Sequence, residues 1–575
     1  MADEKRTLTG SRILWECLER EGVKHIFGYP GGAILPAYDA LKHSSLHHIL
    51  VRHEQGATHM ADGYARATGG VGVAVATSGP GATNMVTGIA TAMMDSSPIV
   101  CITGQVGSKL LGSDAFQETD ITGVTLPITK HNYLVTRADE VAATVREAFY
   151  VAKSGRPGPV LIDITKDAQQ SNAEFDWEAA APKMRGYRPD LSPEKEEYEE
   201  ALALIRNAKR PLILAGHGVL VSGAEMELQM FAERASVPVA LTLLGLGGMP
   251  ASHSLNLGMM GMHGEAWVNT AIQEADLLLA FGMRFDDRVT GNIKTYAPNS
   301  KKIHVEIDPA EINKNVKVDV ALVGDLRKIL QELLPRVEAT DRREWMARIT
   351  DLKGDSAVRD IQNLPDSGHL YAAHVINDLW RETRHGDTIV VTDVGQHQMW
   401  EAQYYKHESP RSLITSGGLG TMGFALPAGI GAKVARPEAD VWVVPGDGGF
   451  QMTMCELATI VQEKIKVNIA IINNGFLGMV RQWQEFFYEK NYEATPLISP
   501  DFVKLGEAYG IRSYAVKRRS EVIPTVQAAR EHDGPVLIDF QVEKEDTVYP
   551  MVAAGSSLHE MIRRPNPLME TGDDE

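Results

Sequence analysis

A carboxylate and an amide in the last third of the chain have the types and the spacing of metal ligands. Asp447 lies in the Gly-Asp-Gly-Gly-Phe run at 446–450, and Asn474 follows 27 positions later, within the Asn-Asn-Gly run at 473–475. A carboxylate oxygen, an amide oxygen and a nearby backbone carbonyl make a small, hard oxygen site, which suits Mg²⁺ completed by diphosphate oxygens and water. Each turn taken alone would be a common one, since Asp-Gly and Asn-Gly are frequent turn dipeptides.

The segments around this pair indicate how the two side chains would come together. The apolar run 441–444 precedes Asp447 and the apolar run 469–472 precedes Asn474, so both indicate buried parallel strands, with a helical stretch at 455–463 crossing between them. Such strands bring their carboxyl ends to one edge of the sheet, where α/β proteins bind ligands. The spacing, with a strand before each half, resembles the thiamine-diphosphate fingerprint of GDG followed by NN.

A second motif, His-Glu-Gln-Gly-Ala at 53–57, follows a strand-like run at 49–51. Its first two residues invite a zinc-protease interpretation. The next histidine, His59, lies six positions after His53, whereas that motif needs a spacing of four to place both ligands on one helical face. Without a cofactor, Glu54 would be interpreted as a solvated or salt-bridged acid. Beside thiamine diphosphate, a buried glutamate has a specific task, because it can hold the proton at N1′ of the aminopyrimidine.

Composition bounds the class of protein. The chain has 575 residues, which is long enough for three domains of ordinary size, and its 44% apolar and 23% charged content is that of a globular protein. Its formal net charge of −18 disfavours a general binder of nucleic acid or of anionic membranes. Three widely spaced cysteines, Cys17, Cys101 and Cys455, indicate neither a disulfide framework nor a zinc site, and they fit a reducing cytoplasm.

Two segments of the chain have positions or compositions in which a targeting signal or a membrane span could occur. The first residues of the chain carry no apolar core of a signal peptide. The uncharged stretch 71–94 is long enough to span a membrane, but the Ser-Gly-Pro-Gly run at 78–81 would break a spanning helix. We therefore predict a buried strand, a tight turn and a helix there, and no membrane association.

The pattern of elements predicts an α/β protein with three doubly wound parallel-sheet domains. Strand-like runs alternate with helical stretches throughout 1–180, 190–360 and 368–560, and residues 561–575 are predicted to be a mobile acidic tail. The polar, proline-containing stretch 169–193 is predicted to be a linker, and 336–367 a charged helical connector.

Several of these motifs, in this order, resemble a known family. The chain is similar to the acetohydroxyacid synthase (acetolactate synthase) catalytic-subunit family over essentially its whole length. The Arg-Phe-Asp-Asp-Arg run at 284–288 and the Leu-Gly-Met-Val-Arg-Gln-Trp run at 477–483 are the most diagnostic, because other matching stretches also occur in decarboxylases and oxidases of the superfamily. The remaining matching stretches are 28–33, 53–57, 77–84, 114–118, 154–160 and 393–400.

The resemblance implies an architecture and an activity. Residues 1–180 would form a pyrimidine-binding domain, 190–360 a Rossmann-like FAD-binding domain, and 368–560 a diphosphate- and Mg²⁺-binding domain. The enzyme would decarboxylate pyruvate and condense the two-carbon unit with a second pyruvate, giving 2-acetolactate, or with 2-ketobutyrate, giving 2-aceto-2-hydroxybutyrate. It would be a cytoplasmic homodimer or homotetramer with active sites between subunits, and it would have a separate regulatory small subunit.

The resemblance also assigns residues to thiamine diphosphate and to the reaction. Glu54 would be the N1′ partner, Met422 would hold the two rings of the cofactor in a bent shape, and the Phe476 carbonyl would join Asp447 and Asn474 as Mg²⁺ ligands. The family often has Ser where Gly449 stands, so a hydroxyl contact there would be absent or replaced by a backbone N–H. The residues lining the reacting cavity, contributed by the neighbouring subunit, would be Gly32, Phe116, Gln117 and Lys166. The other cofactor-contacting positions would be Pro80, Asn84, Val394, Gly395, Gln396, His397, Gly420, Gly448, Leu477, Gly478 and Met479.

A second set falls at FAD-contacting positions of the family. Without the resemblance, its glycines would merely end strands and 284–288 would be a surface charge cluster. FAD would be structural, since the condensation needs no net redox step. Arg288 would also pair with the carboxylate of the second keto acid, and Trp483, beside Met479, would favour the ethyl group of 2-ketobutyrate over the methyl of pyruvate. The FAD set is Arg156, Gly216, Gly218, Thr242, Leu243, His263, Gly282, Arg284, Asp286, Arg288, Glu306, Asp325, Gln398, Met399, Gly417 and Gly418.

Three other functions compete with this interpretation. Pyruvate oxidase and glyoxylate carboligase are thiamine-diphosphate flavoenzymes, although the carboligase lacks an acid at the position of Glu54. A non-catalytic regulatory protein could retain the fold, but the intact Glu54, Asp447 and Asn474 argue against it. A nicotinamide dehydrogenase is suggested by the middle domain alone, and the missing Gly-x-Gly-x-x-Gly before a helix counts against it.

Overall fold

Alternate residues of each central strand face two different cores. In the strand Gly72–Ala76, Val73 and Val75 enter one apolar cluster while Ala74 and Ala76 enter another. A strand buried on both faces belongs to a parallel sheet covered by helices. The computed structural model, which describes residues 6–182, 184–363 and 368–565, contains three six-stranded parallel sheets of this kind, one in each predicted domain.

The first domain has the strand order β3-β2-β4-β5-β7-β6. An antiparallel pair, β1 with β8, lies outside this sheet, so the predicted linker at 169–193 is wrong where it includes β8. The strands are β1 (Arg6–Thr9), β2 (His25–Gly28), β3 (His47–Leu50), β4 (Gly72–Ala76), β5 (Ile99–Gln105), β6 (His131–Val135), β7 (Val160–Thr165) and β8 (Asn172–Phe175). The helices are α1 (Gly10–Arg20), α2 (Leu35–Ala40), α3 (Glu54–Thr68), α4 (Pro80–Asn84), α5 (Val86–Asp95), α6 (Ile121–Thr125), α7 (Val141–Lys153) and α8 (Lys166–Gln170).

The middle domain has the order β11-β10-β9-β12-β13-β14, which is the 3-2-1-4-5-6 order of doubly wound dinucleotide-binding sheets. The charged connector is helical over α15 and is held against this domain, because the Trp345 indole donates to the Pro211 carbonyl at 3.0 Å. The strands are β9 (Pro211–Ala215), β10 (Val239–Leu241), β11 (Asn256–Met259), β12 (Leu277–Phe281), β13 (Lys301–Glu306) and β14 (Val320–Val323). The helices are α9 (Lys195–Asn207), α10 (His217–Ser222), α11 (Glu225–Ala235), α12 (Ala266–Glu274), α13 (Asp287–Thr290), α14 (Leu326–Leu333) and α15 (Arg343–Ala357).

The third domain has the order β16-β15-β17-β18-β20-β19, which repeats that of the first domain, 2-1-3-4-6-5. The strands are β15 (Thr388–Thr392), β16 (Leu413–Ile414), β17 (Asp440–Val444), β18 (Asn468–Asn473), β19 (Arg512–Val516), β20 (Val536–Gln541), β21 (Met551–Val552) and β22 (Met561–Ile562). The helices are α16 (Ala372–Thr383), α17 (Gln396–Tyr404), α18 (Ala425–Ala435), α19 (Asp447–Thr453), α20 (Leu457–Glu463), α21 (Gly478–Phe487), α22 (Phe502–Ala508) and α23 (Val522–Glu531).

Two helices join the first and third domains through backbone contact. A Cβ at Gly63 of α3 would lie 2.0 Å from the Ala428 carbonyl oxygen, and one at Gly431 of α18 would lie 1.9 Å from the Met60 carbonyl oxygen. Only glycine allows so close an approach. Strands β4, β15 and β17 contribute to the single apolar cluster that runs through both domains.

The C-terminal segment returns to the middle domain. Strands β21 and β22 pair antiparallel, and the Val552 N–H donates to the Met262 carbonyl at 2.9 Å. The predicted tail boundary at 561 is therefore too early, because β22 is paired; residues 566–575 of that tail lie outside the described part of the chain. In the described ranges, no helix is both long enough and apolar enough to cross a membrane.

Candidate active site

Three helices of the third domain begin at one cleft. Helix α17 follows β15 and begins at Gln396, α19 follows β17 and begins at Asp447, and α21 follows β18 and begins at Gly478. No side chain caps any of the three N-termini, so their first N–H groups remain available to a ligand. The strand order reverses between β15 and β17, and such a switch point is where open α/β sheets bind ligands. Three positive helix ends facing one cleft favour an anion such as a diphosphate.

The cleft measures about 450 Å³, and it gathers most of the predicted cofactor residues of this domain. Among the predicted thiamine diphosphate positions of the third domain, Gly420 is the one that does not line the cleft, although it lies two positions before Met422, which does. Sequence reasoning missed Trp400, one helical turn after Gln396, and the motif neighbours Gly446, Ile472 and Val480. The predicted residues that line the cleft are Val394, Gly395, Gln396, His397, Met422, Asp447, Gly448, Gly449, Asn474, Phe476, Leu477, Gly478 and Met479.

Two glycines of the cleft are required by neighbouring side chains. A Cβ at Gly446 would lie 2.9 Å from the His397 ring, and a Cβ at Gly449 would lie 2.0 Å from a carboxylate oxygen of Asp393. A serine at position 449 would therefore require Asp393 to move. The close packing leaves backbone N–H groups, rather than side chains, facing the cleft at this turn.

Asp447 and Asn474 both line the cleft, as the sequence predicted. Burial raises the pKa of Asp447 to about 6, and the Ser499 hydroxyl donates to its Oδ2 at 3.1 Å. The Asn474 Oδ1 accepts from the Phe476 N–H at 3.0 Å. Within the described ranges, no Lys, Arg or His forms an ion pair with Asp447, and no three His, Cys, Asp or Glu side chains cluster as metal ligands. A buried carboxylate without a cationic neighbour, next to an amide oxygen, fits a cation completed by ligand oxygens.

Glu54 is the first residue of α3, with His53 as the N-cap. The Asn84 side-chain amide donates to Glu54 Oε2 at 2.9 Å, so these two predicted residues are in contact. His53 Nδ1 accepts from the Gln55 N–H at 3.1 Å, and burial lowers the pKa of His59 to about 4. His53 therefore caps a helix and His59 is a core histidine. Neither Glu54 nor Asn84 lines the Asp447 cleft, so the two halves of the predicted site do not share one cleft within a single chain.

The other predicted residues of the first domain lie on its surface. The Phe116 side chain is 88% exposed, and Gln117 has a φ of 60°, in the left-handed region. Gly32 and Lys166, the first residue of α8, are also exposed, and Pro80 begins α4. None of these residues contributes to the cleft of the third domain.

A second cleft, of about 1250 Å³, lies at the carboxyl edge of the middle sheet. Gly218 and Gly282 line it in mutual backbone contact, since a Cβ on Gly218 would lie 2.6 Å from the Gly282 Cα. Glu306, whose pKa burial raises to about 7, and Asp325 also line it. Basic side chains of all three domains border the cleft: Lys153 of the first, Lys328 of the middle and Arg411 of the third. An acid beside two glycines and peripheral cations fits the ribose and diphosphate of a dinucleotide.

Other predicted FAD positions stabilise the loops around that domain. Asp286 caps α13 by accepting from the backbone of Arg288 and Val289, while Arg284 lies 3.6 Å from it. The Arg156 guanidinium pairs with Asp308 at 3.3 Å. These side chains are thus already occupied by protein partners, although their loops border the carboxyl ends of the sheet.

The remaining positions of the set lie mostly at domain junctions. The Gly417 and Gly418 N–H groups donate to the Asp95 carboxylate, at 3.1 and 2.6 Å. His263 is buried, with Nδ1 at 3.3 Å from the Pro550 carbonyl. Gln398 donates to Thr415 Oγ1 at 2.7 Å. Gly216 contacts Gly282, and the Thr242 side chain accepts a hydrogen bond from the Gly245 N–H. Leu243 and Met399 pack against the apolar core of the middle domain.

The residues predicted to bind substrate lie on two helices, α13 and α21. Trp483 and Met479 belong to α21, and the Trp483 ring lies 5.2 Å from that of Phe487. The Arg288 side chain is 59% exposed, with one nitrogen 3.3 Å from the Met262 sulfur. Its Nε lies 3.9 Å from Asp287 Oδ2, and the exposed guanidinium remains accessible to a carboxylate.

The two clefts and three sheets agree with comparisons to known proteins. Models described as the thiamine pyrophosphate enzyme N-terminal TPP binding domain, central domain and C-terminal TPP binding domain match residues 8–124, 198–333 and 393–540. The chain therefore has the domain organisation of a thiamine pyrophosphate-dependent enzyme.

Curated relatives narrow this class. An acetolactate synthase large subunit of Corynebacterium glutamicum is 49% identical over 96% of this chain and 89% of its own. An acetolactate synthase of Mycobacterium bovis is 49% identical over 96% and 91%, and a probable acetolactate synthase large subunit of Methanocaldococcus jannaschii is 47% identical over 97% and 95%. The chain belongs to the acetolactate synthase large-subunit family.

Proposed function

We propose that the chain catalyses acetolactate synthesis from pyruvate. It removes CO₂ from one pyruvate and joins the two-carbon unit to a second pyruvate, giving 2-acetolactate, or to 2-ketobutyrate, giving 2-aceto-2-hydroxybutyrate. This is the first common step of branched-chain amino-acid synthesis, and we assign it to the cytoplasm. The observation that carries the proposal is the cleft of the third domain, where a buried carboxylate, an amide and three uncapped helix N-termini converge.

The third domain holds the diphosphate end of the cofactor. Thiamine diphosphate, when bound, supplies a thiazolium carbon that stabilises negative charge. Asp447, the Asn474 amide oxygen and the Phe476 carbonyl would bind Mg²⁺, and the N–H groups that begin α17, α19 and α21 would bind diphosphate oxygens. Met422, which lines the same cleft, would support the bend between the two rings.

The first domain supplies Glu54, the residue that would hold the proton at the aminopyrimidine ring of the cofactor. Glu54 would hold a proton at N1′ of the aminopyrimidine, and the hydrogen bond from the Asn84 amide to Oε2 would restrain the orientation of its carboxyl group. Because Glu54 and the Asp447 cleft are separate within one chain, we assign each active site to the first domain of one subunit and the third domain of another. Phe116 and Lys166, which are exposed on the same domain, and the partly exposed Gln117 would then line the reacting cavity.

The middle domain would hold FAD in its cleft, with Gly218 and Gly282 beside the diphosphate and Glu306 at the ribose. FAD would be structural there, because condensation of two keto acids requires no net oxidation. The Arg288 guanidinium would bind the carboxylate of the second keto acid through two parallel hydrogen bonds. Trp483 would supply an apolar wall, where one methylene of 2-ketobutyrate contributes about 1–3 kcal/mol. A homodimer or homotetramer with a separate regulatory small subunit completes the proposed assembly.

Oxygen consumption separates this reaction from that of a flavin-dependent pyruvate oxidase. The purified protein, supplied with thiamine diphosphate, Mg²⁺ and FAD, is expected to release CO₂ from pyruvate without consuming oxygen, while binding FAD as a yellow cofactor. An oxygen electrode beside a CO₂ measurement tests this expectation. One molecule of oxygen consumed per CO₂ released would contradict the proposal and identify an oxidase.

A further inference from the structure

A chain of three buried side-chain amides runs from the metal site to the C-terminal segment. The Asn474 amide donates to Gln396 Oε1 at 3.2 Å, and Gln396 Nε2 donates to Gln482 Oε1 at 2.9 Å. Gln482 in turn contacts Val548 and Met551, in the segment that leads to β21. All three amide residues are buried, and Gln482 has no exposed surface. This chain of three amides, called the amide relay below, contains one proposed metal ligand and one helix N-terminal residue.

Backbone groups determine which way each amide of the relay points. The Val548 N–H donates to Gln482 Oε1 at 2.9 Å, and a backbone N–H can only donate. The Asp546 carbonyl accepts from Gln396 Nε2 at 3.0 Å, and a carbonyl can only accept. With Gln396 Nε2 directed at the Asp546 carbonyl and at Gln482, its Oε1 must face Asn474. The Asn474 NH₂ group is then held toward Gln396, which leaves Oδ1 on the side of the Phe476 N–H and the cleft.

We infer that Gln482 is a positioning residue that, through Gln396, fixes the Asn474 amide with its oxygen toward the cation site. An unrestrained amide could rotate and present NH₂ to the cation, which cannot serve as a ligand. Gln482 does not line the cleft, so it acts only through the relay. Partners behind a metal ligand typically change metal affinity by about 10- to 100-fold when they are removed.

The close packing of α21 supports a constrained relay. A Cβ at Gly478 would lie 2.2 Å from Gln396 Oε1 and 2.5 Å from Asn474 Nδ2. Glycine at the first position of α21 therefore allows the helix to approach the relay, where any side chain would displace the two amides. Helix α21 also carries Gln482 and Trp483, so the relay connects the metal site with the proposed acceptor wall.

The test uses Gln482→Met, which keeps the length of the side chain but removes its donors and acceptor. Thiamine diphosphate binding is measured by isothermal titration over a series of Mg²⁺ concentrations, with the full-length protein. We expect the Mg²⁺ concentration for half-maximal binding to rise about tenfold or more. The control is Gln484→Met, on the same helix, whose amide instead contacts the Glu493 carbonyl and Thr495, and it should leave that concentration unchanged.

A double-mutant cycle distinguishes orientation from general stabilisation. In Asn474→Asp, the carboxylate has an oxygen on each side and needs no orientation. Gln482→Met should therefore raise the Mg²⁺ requirement in the wild-type background but not in the Asn474→Asp background. An equal rise in both backgrounds would overturn the inference, as would no rise in either.

The outcomes separate this inference from the proposed function, on whose thiamine diphosphate site it rests. Wild-type protein that fails to bind thiamine diphosphate with Mg²⁺ contradicts the function itself. Wild-type binding with an unchanged requirement in Gln482→Met contradicts only the relay. If Gln482→Met does not fold, Gln482→Glu serves, because it keeps the acceptor for Gln396 and for the Val548 N–H. It should stay within about threefold of wild type, and a tenfold rise would overturn the inference.

Discussion

Asp447 is buried, and in the described part of the chain it has no cationic partner. The Ser499 hydroxyl and the local backbone offset only part of the cost of its charge, so burial still raises its pKa to about 6. A divalent cation removes that cost by pairing with the carboxylate and with diphosphate oxygens. We therefore expect Asp447 to bind the cation only when the diphosphate of the cofactor completes the coordination of that cation.

Asp447→Ala should abolish Mg²⁺-dependent binding of thiamine diphosphate, because the buried diphosphate would lose its bridging cation. Isothermal titration with and without Mg²⁺ measures this. The matched control is Asp533→Ala, an exposed acid of the same domain, which should bind as wild type does. Metal-dependent affinity that survives in Asp447→Ala would place the cation elsewhere.

Most residues of the candidate site could be predicted from the sequence, because they lie in short motifs. The runs 394–397, 447–449 and 474–479 identified most of the cleft because local backbone chemistry and the resemblance pointed to the same positions. The relay partner Gln482 and the Asp393 carboxylate against Gly449 could not be predicted. Those contacts join segments about 50 to 90 residues apart in the chain, and no local pattern signals them.

At the scale of elements, the strands of the three sheets were the most predictable part. Runs such as 277–281 are continuously apolar and buried on both faces, which is the signature of parallel strands. The antiparallel pairs β1–β8 and β21–β22 were missed, because two- to four-residue strands carry too few residues for a period-two pattern and pair over long separations. The helix predicted at 455–463 corresponds to α20 and the short 3-10 turn that precedes it, whereas the separate helix α19, which makes Asp447 a helix N-terminal residue, was not predicted.

Helix α5 ends on a buried acid that joins all three domains. Asp95 accepts from the Arg66 guanidinium at 2.8 Å and from the N–H groups of Gly417 and Gly418, while the His217 ring contacts its carbonyl. The loop it holds carries predicted cofactor positions. Its carboxylate therefore couples the packing of the first domain to the loop between β16 and α18.

Asp95→Ala should lower the urea midpoint of unfolding of the cofactor-free protein, with a cost of about 1–3 kcal/mol, because the part-buried Gly417 and Gly418 N–H groups lose their acceptor and Arg66 keeps only Asp62 as an acidic partner. Fluorescence titration should also show weaker FAD binding. Asp39→Ala, at an exposed acid paired with Lys42, should change stability by less than about 0.5 kcal/mol. A midpoint equal to that of wild type in Asp95→Ala would show that the junction contributes nothing.

At the scale of the whole molecule, the first and third domains repeat one strand order and divide the proposed site between them. Glu54 lies on the first domain and Asp447 on the third, and in a single chain they do not share a cleft. A two-fold dimer would bring each first domain to the third domain of its partner and create two equal sites.

Subunit complementation tests that division. When Glu54→Gln and Asp447→Ala chains are co-expressed, mixed dimers carry one doubly altered site and one intact site, so random assembly should restore about a quarter of wild-type activity. The control pair, Asp447→Ala with Asn474→Ala, alters the same half of the site and should stay inactive. Activity that remains absent in the first mixture would show that each site lies within a single chain.

The most direct test of the central claim is the identity of the product. [2-¹³C]pyruvate is incubated with the purified protein, thiamine diphosphate, Mg²⁺ and FAD, and the reaction is followed by ¹³C NMR together with CO₂ release. The account predicts 2-acetolactate labelled at the two adjacent carbons joined by the new bond, with one CO₂ released for every two pyruvates consumed. Acetaldehyde or acetate as the main product, with one CO₂ per pyruvate, would contradict it.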